Sequence, residues 1–592
     1  MLFQICNPSS ANFTAVATRV AVISALKARH RLKITEQLAS LGMTQESVGK
    51  RGQKLRSPHP LPGLDWLQNT TRAADTSMLF NKLLAQLCIF PFVLVFPATD
   101  PLNPPDVSSD GHVVPDFAPA WATAYQKARD LISNYTIEDK VNITTAVGWE
   151  NGLCGANIAP SKNFSGLCLQ DSPLAVRGVD FTNVFPAGIH VASTWNRALM
   201  RARGLALGQE FKGKGVNIAL GPMMNMGRVA QGGRNWEGFG ADPFLAGESA
   251  YETVLCLQHG GVQSCAKHFI NNEQEHFRAT ETSNVDDRTQ HEIYAHPFLR
   301  SVMAGISSVM CSYNLINNTY ACNNDKMLND ILKREYGFQG FIMSDVYATT
   351  TTLAAVAGLD MTLPGDITFD SGDSYFGGNL TDYVNEGYIS MARLDDMATR
   401  IIAAWYFLHQ DEEYPATNFN AFDQNDEVNN KHVNVQADHY RLVREIGAAG
   451  MVLLNNQNGA LPLNKPRNIV LIGSDAGPGK SGPNEFLYGT GSDGILASGW
   501  GSGAWNNGDN LILAVAAQNN NTIVVVNSVG PLIVEPWIEH PNITAVVWAG
   551  IQGQEAGNAI ADVLYGAYNP SGRLPYTIAK DPAHQETNLE LI

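Results

Sequence analysis

A carboxylate at the tip of a buried strand can attack an electrophile or move a proton, and Asp345 occupies such a place. The stretch GFQGFIMSDV, residues 337–346, holds an apolar run from Phe338 to Met343. Aromatic and β-branched residues bounded by glycines read as a buried strand. The preceding NNDKMLNDILKREYG reads as a helix, with Asn324 or Asp325 at its start and Gly337 past its end. Helix, glycine, strand and then a carboxylate is how α/β barrels present reacting groups. Taken alone, Asp345 could equally cap the next helix.

Other polar clusters also follow predicted strands. LCLQDSPLAVR carries Asp171 and Arg177, and GGRNWEGFGADP carries Arg234, Trp236 and Glu237. AKHFINNEQE carries Lys267 and His268, and VMCSYN carries Met310 and Tyr313. Each has a plain structural use: Asp171 in a turn, Arg234 on a surface acid, Lys267 and His268 at solvated loop ends. Together they supply carboxylates, cations, hydroxyl donors and aromatic faces, the mixture a neutral sugar needs. Among those cations Asp345 is expected to stay ionised, as a nucleophile must.

The elements that position these residues alternate. GVNIAL (215–220), VQSCAKHF (262–269), SSVMCSY (307–313) and GFIMSD (340–345) are strand candidates separated by helical stretches. Residues 115–405 therefore suit an α/β barrel or a doubly wound sheet. Residues 406–436, polar and rich in Asn, Asp and Glu, read as a linker. A second parallel α/β unit follows over 437–580, with strands NIVLIG (468–473), TIVVVNSVG (522–530) and ITAVVWAG (543–550). Two motifs are decoys. GSDAGPGKS has one residue too many between its glycines for a phosphate loop. His291 and His296 are five apart, about 140° around a helix, and would not share a metal.

At 592 residues the chain has room for two or more domains. Its net charge of −16 and 16% charged content argue against nucleic acid and anionic membranes as partners. Residues 1–77 are basic and show no clear hydrophobic periodicity. Residues 78–99 then look like a secretory signal, with Met78, Lys82 and the apolar run Leu83–Ala98. The expected true start is Met78, which makes the first 77 residues an upstream misreading and the mature protein secreted. A signal anchor behind a basic cytoplasmic tail is the alternative. Cys154, Cys168, Cys256, Cys265, Cys311 and Cys322 form three close pairs along the chain. Nearest-neighbour disulfides are the simplest of the 15 pairings, and the spacings do not suit zinc. Sequons at Asn134, Asn142, Asn163, Asn317, Asn379, Asn520 and Asn542 suit a glycoprotein.

GLCLQDSPLAVR, GPMMNMGRVAQGGRNWEGFGADPFLAG, CAKHFINNEQEHFR, GFIMSDV and AGLDMTLPGD resemble a fungal β-glucosidase of glycoside hydrolase family 3, and the resemblance covers about residues 115–580. It implies a (β/α)8-type barrel followed by an α/β sandwich, with Asp345 as nucleophile. It further implies that Asp171, Arg177, Arg234, Lys267, His268, Met310 and Tyr313 line the subsite for a non-reducing glucose. The implied reaction is retaining hydrolysis of β-glucosides or cello-oligosaccharides through a glycosyl-enzyme, which needs two carboxylates and water and no metal or cofactor.

The chain departs from the family pattern in three places. Val346 follows the nucleophile where the family has Trp. Tyr347, one position on, would point elsewhere. The family's acid/base Glu belongs to an SGEGY-like motif in the sandwich, and no such motif is present. ASGWGSG runs straight into AWNNGDNLI, as though a segment were lost at Gly503/Ala504. Its expected size is about 80 to 90 residues, a strand with its crossover alone taking roughly 30 or more. Glu485, Glu535 and Glu555 lie in no matching motif, and Glu555 suits a helix start. Residues 581–592 read as an unrelated tail, and the family's usual fibronectin-type-III-like third domain has no counterpart. The alternative function is therefore a catalytically impaired or purely sugar-binding remnant, in which excision of a sheet segment would expose strand edges.

Overall fold

A computed structural model describes residues 119–148, 152–171, 173–473, 475–477 and 508–581, with the backbone of 19–24. The signal-like segment, the junction at Gly503/Ala504, Glu485 and residues 582–592 lie outside the described residues. Among those described, no helix is long and apolar enough to cross a membrane.

In chain order the strands are β1 (Arg19–Ser24), β2 (Ala156–Ile158), β3 (Leu167–Asp171), β4 (Ile218–Leu220), β5 (Gln263–Phe269), β6 (Ser308–Cys311) and β7 (Phe341–Ser344). They continue with β8 (Val452–Asn456), β9 (Asn468–Gly473), β10 (Thr522–Val526) and β11 (Ile543–Trp548). The apolar runs read from sequence become these strands; NIVLIG forms β9 in full and the others are a little shorter than their runs. The segment around Asp345 begins pairing at Phe341 rather than Phe338, because Gly340 must first pass the neighbouring strand. A Cβ there would lie 2.1 Å from the Ser307 carbonyl.

The first domain is a closed barrel. Strands β2 to β7 form one six-stranded sheet in which only β2 is reversed. Parallel bridges from Met343 to Met361 and from Thr362 to Thr145, then Val147 to Asn157, return the sheet to β2. The ring thus settles the choice between barrel and doubly wound sheet: the fold is a (β/α)8-type barrel with a reversed strand. Helices surround it, including α1 (Pro119–Ile132), α2 (Ile137–Thr144), α3 (Arg197–Gly213), α4 (Pro243–His259), α5 (His296–Met303) and α6 (Met391–Phe407). Local sequence starts several of them. Thr136 and Asp139 form a reciprocal capping box, Asn196 and Asp242 cap α3 and α4, Pro243 opens α4, and Ser390 caps α6.

Residues 410–436 are irregular but tied to the barrel. Gln410 bonds Gln263 and the Asn217 carbonyl, and Tyr414 donates to the Val216 carbonyl. Two of the three expected disulfides are present, Cys154–Cys168 and Cys311–Cys322. The third is not: Cys256 and Cys265 are buried and form no disulfide. Cys256 sits on α4 facing Gly204 of α3, whereas Cys265 lies in β5 and bonds Ser308 of β6. Closeness in sequence does not bring a helix face and a strand face together.

The second domain is a five-stranded sheet in the order β8-β11-β10-β1-β9, with β8 alone antiparallel. Val524, Val526, Val546 and Trp548 face one apolar cluster, while Ile523, Val525, Ala545 and Val547 face another. That two-sided burial is why these strands read as continuous apolar runs. The helices α7 (Tyr440–Ala449), α8 (Gly508–Ala516) and α9 (Ala556–Leu564) accompany it. The sequence reading places no element in residues 1–77. The structure puts β1, RVAVIS, between β9 and β10, in register from Arg19 opposite Asn468 to Ser24 opposite Gly473. Its β-branched run suits an interior strand.

The two domains share packing. Leu174, Ile189 and Trp236 of the barrel join the cluster of Val526 and Trp548, and Ser193 donates to the Gly450 carbonyl at 2.6 Å. His190, fully buried against Gly447 and Trp548, has its pKa pushed down to about 4 by burial.

Candidate active site

Asp345 follows the last residue of β7. Its backbone N–H donates to the Cys311 carbonyl of β6, and Ser344 N–H donates to the Met361 carbonyl. Behind the strand lies a buried ionic knot. Asp360 accepts from Ile342 N–H at 2.8 Å, from Lys333 at 2.8 Å and from Arg393 at 2.7 Å. Arg393 continues to Asp396, which also holds Arg400. One carboxylate therefore ties β7 to the Lys326–Glu335 helical segment and to α6. The tip that carries Asp345 inherits that rigidity.

The other residues come from neighbouring strand ends. Asp171 closes β3, Lys267 and His268 lie in β5, Met310 lies in β6 in register with Lys267 and Met343, and Tyr313 is just beyond. The loop after β4 brings Arg234 and Glu237. Asp171 pairs with Arg177 at 3.0 Å and with Lys267 at 3.4 Å. Lys267 also reaches Glu237 at 3.6 Å, and Glu237 is held by Arg234. His268 Nε2 lies 3.5 Å from Asp345 Oδ2, and the Tyr313 hydroxyl interacts with the same carboxylate. Of the ten residues singled out from sequence, Asp171, Arg177, Arg234, Glu237, Lys267, His268, Tyr313 and Asp345 form one connected cluster at the C-terminal ends of the barrel strands, Met310 adjoins it in strand register, and Trp236 packs in the apolar cluster shared with the second domain.

Three further residues belong to it. Arg278 stacks 4.0 Å over the Tyr313 ring and pairs with Glu275 at 2.7 Å. Asn225 holds His268 through its backbone and ring. Arg278 and Glu275 sit in the quoted CAKHFINNEQEHFR motif, so their spacing after β5 was the available signal. Asn225, within GPMMNMGR, carried none.

Electrostatics follow from burial. The Asp345 side chain is only 9% exposed. Burial pushes its pKa up, against Arg234, the Val346 N–H, Lys267 and Arg278, which pull it down. The cations act in the expected direction, but dehydration outweighs them. Burial, then Arg234, Lys267 and Arg278, hold His268 well below the ordinary imidazole range, so its ring is neutral. Burial and the Asp345 charge together keep the Tyr313 phenol protonated. Val346 donates its N–H to Asp345 Oδ1 at 2.7 Å. Its side chain presents no aromatic face, and Tyr347 leaves in a left-handed turn at φ 63°.

In the second domain Glu535 is engaged by Lys580 at 3.2 Å, and Glu555 precedes α9, where it accepts from Asn558. Among the described residues, one group of three metal-ligating side chains comes together, His409, Asp411 and Glu412, outside the cluster of Asp345.

Residues 175–404 match the profile described as Glycosyl hydrolase family 3 N terminal domain, and 504–590 that of Glycosyl hydrolase family 3 C-terminal domain. β-Glucosidase 1 of Aspergillus aculeatus is 42% identical over 78% of this chain, which spans 66% of the length of that relative. Among solved structures, a β-glucosidase from Chaetomella raphigera is similar with TM-score 0.75 at 41% identity, covering 79% of this chain and 76% of its own. A glycoside hydrolase family 3 β-glucosidase from Neurospora crassa aligns with TM-score 0.76 at 40% identity, covering 80% and 68%. Matched in both of its domains and by relatives of this similarity, the chain belongs to glycoside hydrolase family 3.

Proposed function

We propose that this chain is a β-glucosidase that cleaves terminal non-reducing β-D-glucosyl residues from β-glucosides and cello-oligosaccharides with retention. One observation carries the reading: a buried carboxylate, Asp345, at a barrel strand tip, beside neutral His268 and the Tyr313 phenol. Around it Asp171, Arg177, Lys267 and Arg234 offer charged partners to several sugar hydroxyls, while Met310 lies in the adjoining strand. Asp345 attacks the anomeric carbon, the aglycone leaves with a proton, and water releases the sugar from the covalent ester.

A second reading concerns the proton donor. The SGEGY-like motif is absent from the sequence, and Glu535 and Glu555 are engaged elsewhere. A site without its acid still forms the ester from an aryl glucoside whose leaving group needs no proton. With cellobiose it loses a step worth about 10² to 10⁴ in rate. The test measures both substrates beside a full-length relative. The nitrophenyl glucoside should be turned over, and the cellobiose-to-aryl ratio should fall by about that factor. Asp345→Ala should abolish both activities and the mass increment of a trapped glycosyl-enzyme. Unchanged turnover in Asp345→Ala would remove the nucleophile assignment, and an ordinary cellobiose ratio would remove the missing-acid reading.

A further inference from the structure

Asn225 grips His268 at three points. Its Oδ1 accepts the His268 backbone N–H at 2.8 Å and lies 3.1 Å from ring Nδ1. Its Nδ2 donates to the His268 carbonyl at 2.9 Å. The two backbone contacts fix the amide, because an N–H must face its oxygen and a carbonyl its nitrogen. Oδ1 has no proton to give, so Nδ1 meets it as the donor, and the single proton of the neutral ring sits there. Nε2 is left bare. It faces Asp345 Oδ2 at 3.5 Å, and that oxygen is buried without a hydrogen-bond partner. The Tyr313 phenol and the Val346 N–H serve the carboxylate from elsewhere, so the gap between Nε2 and Oδ2 holds two acceptors and no proton.

Three cations around the ring, Arg234, Lys267 and Arg278, oppose a second proton on it. On the far side of Asn225, Nδ2 lies 3.4 Å from Glu273 Oε1. Burial pushes that carboxyl up to about 8, so in its neutral form it leaves the amide undisturbed.

We propose that Asn225 is a positioning residue that holds His268 as the Nδ1–H tautomer, so that Nε2 and Asp345 together demand one hydroxyl donor from the bound sugar. This rests on the reading of the pocket as a glycoside site and adds the device that keeps its carboxylate free. A ring carrying its proton on Nε2 would donate it to Asp345 and blunt the nucleophile. With Nε2 bare, the ring instead accepts from the sugar and leaves Asp345 available for attack.

The test reads the ring directly. In protein labelled with ring-¹⁵N histidine, with His268→Gln used for assignment, His268 should show a protonated Nδ1 and a bare Nε2. Asn225→Ala should release the ring to a mixture of tautomers. Asn225→Asp, which keeps an oxygen acceptor, should retain Nδ1–H. On an aryl glucoside, N225A should lower kcat/KM about tenfold, the scale of one lost hydrogen bond. N225D restores the acceptor for Nδ1 but sets an oxygen against the His268 carbonyl in place of Nδ2, so it should recover part of the loss and move the acid limb to higher pH, because a carboxylate beside the imidazole raises its pKa. Among monodeoxy glucose inhibitors, one should bind the wild type about tenfold more weakly than glucose yet bind N225A as well as glucose does. An Nε2–H ring in the wild type, or a kinetic loss in N225A with its tautomer unchanged, would overturn the proposal. The tautomer is seen without turnover, so an inactive chain fails the glycosidase reading and leaves this one standing.

Discussion

At the scale of single residues, burial rather than neighbouring charge sets the chemistry. Asp345 has cations on several sides and still carries a raised pKa, because removing a carboxylate from water costs more than Arg234, Lys267 and Arg278 return. Only the ionised form attacks, so activity is lost as pH falls through that raised pKa. The acid limb of kcat/KM should therefore lie above the ordinary aspartate value of 3.8. Removing a cation destabilises the carboxylate further, so Arg278→Met should shift the limb to higher pH. A pH series on an aryl glucoside checks this, and a limb that moves downward or stays fixed contradicts it. The cluster was legible at this scale because its members lie in or just beyond the C-terminal ends of strands, gathered in a few polar motifs. The raised pKa was not, because burial is a property of the packed neighbours. The same applies to Cys256 and Cys265, nine positions apart and unbridged.

At the scale of elements, β7 is held by a side chain that performs no chemistry. Asp360 accepts from Ile342 of the strand and from Lys333 and Arg393 behind it, and all three charged groups are buried. A buried ion pair adds little net stability when intact but is costly to break. Asp360→Ala leaves two buried cations without their shared anion and should destabilise the protein by about 3–5 kcal/mol. Asp360→Asn keeps acceptors in place and should cost less. Thermal melts of the two variants check the order, and equal melting temperatures would show that the knot does not brace the strand. The sequence marks the helical segment before β7 through Asn324, which caps it by accepting from Met327 N–H, and through Gly337 at φ 65°. It gives no sign that Asp360 turns back to grip that strand.

At the scale of the whole molecule, the second sheet is completed by residues distant in sequence. Strand β1 pairs with β9 on one side and β10 on the other, so that Arg19–Ser24 bridges two strands that otherwise do not touch. Deleting residues 1–28 should leave two facing edges unpaired. If only a few ladder bonds count at about 1 kcal/mol each, the loss is about 3 kcal/mol or more. For a domain the size of residues 437–580, unfolding as its own unit, that corresponds to a fall in Tm on the order of 10 °C. Differential scanning calorimetry of the truncated chain checks this. An unchanged Tm would mean that the sheet is closed without β1.

The sequence by itself determined the order of elements, the two α/β units and the residues that meet at the barrel rim. Those follow from local periodicity and from a strand's fixed habit of presenting its C-terminal tip. Tertiary structure decided what local signals do not encode. Closure of the barrel depends on bridges through Thr145, Thr362 and Met361, and the central place of RVAVIS depends on partners more than 400 positions away. The protonation of Asp345 and His268 depends on how completely those elements exclude water. Periodicity is written along the chain, whereas closure, long-range pairing and dehydration arise only when distant segments pack.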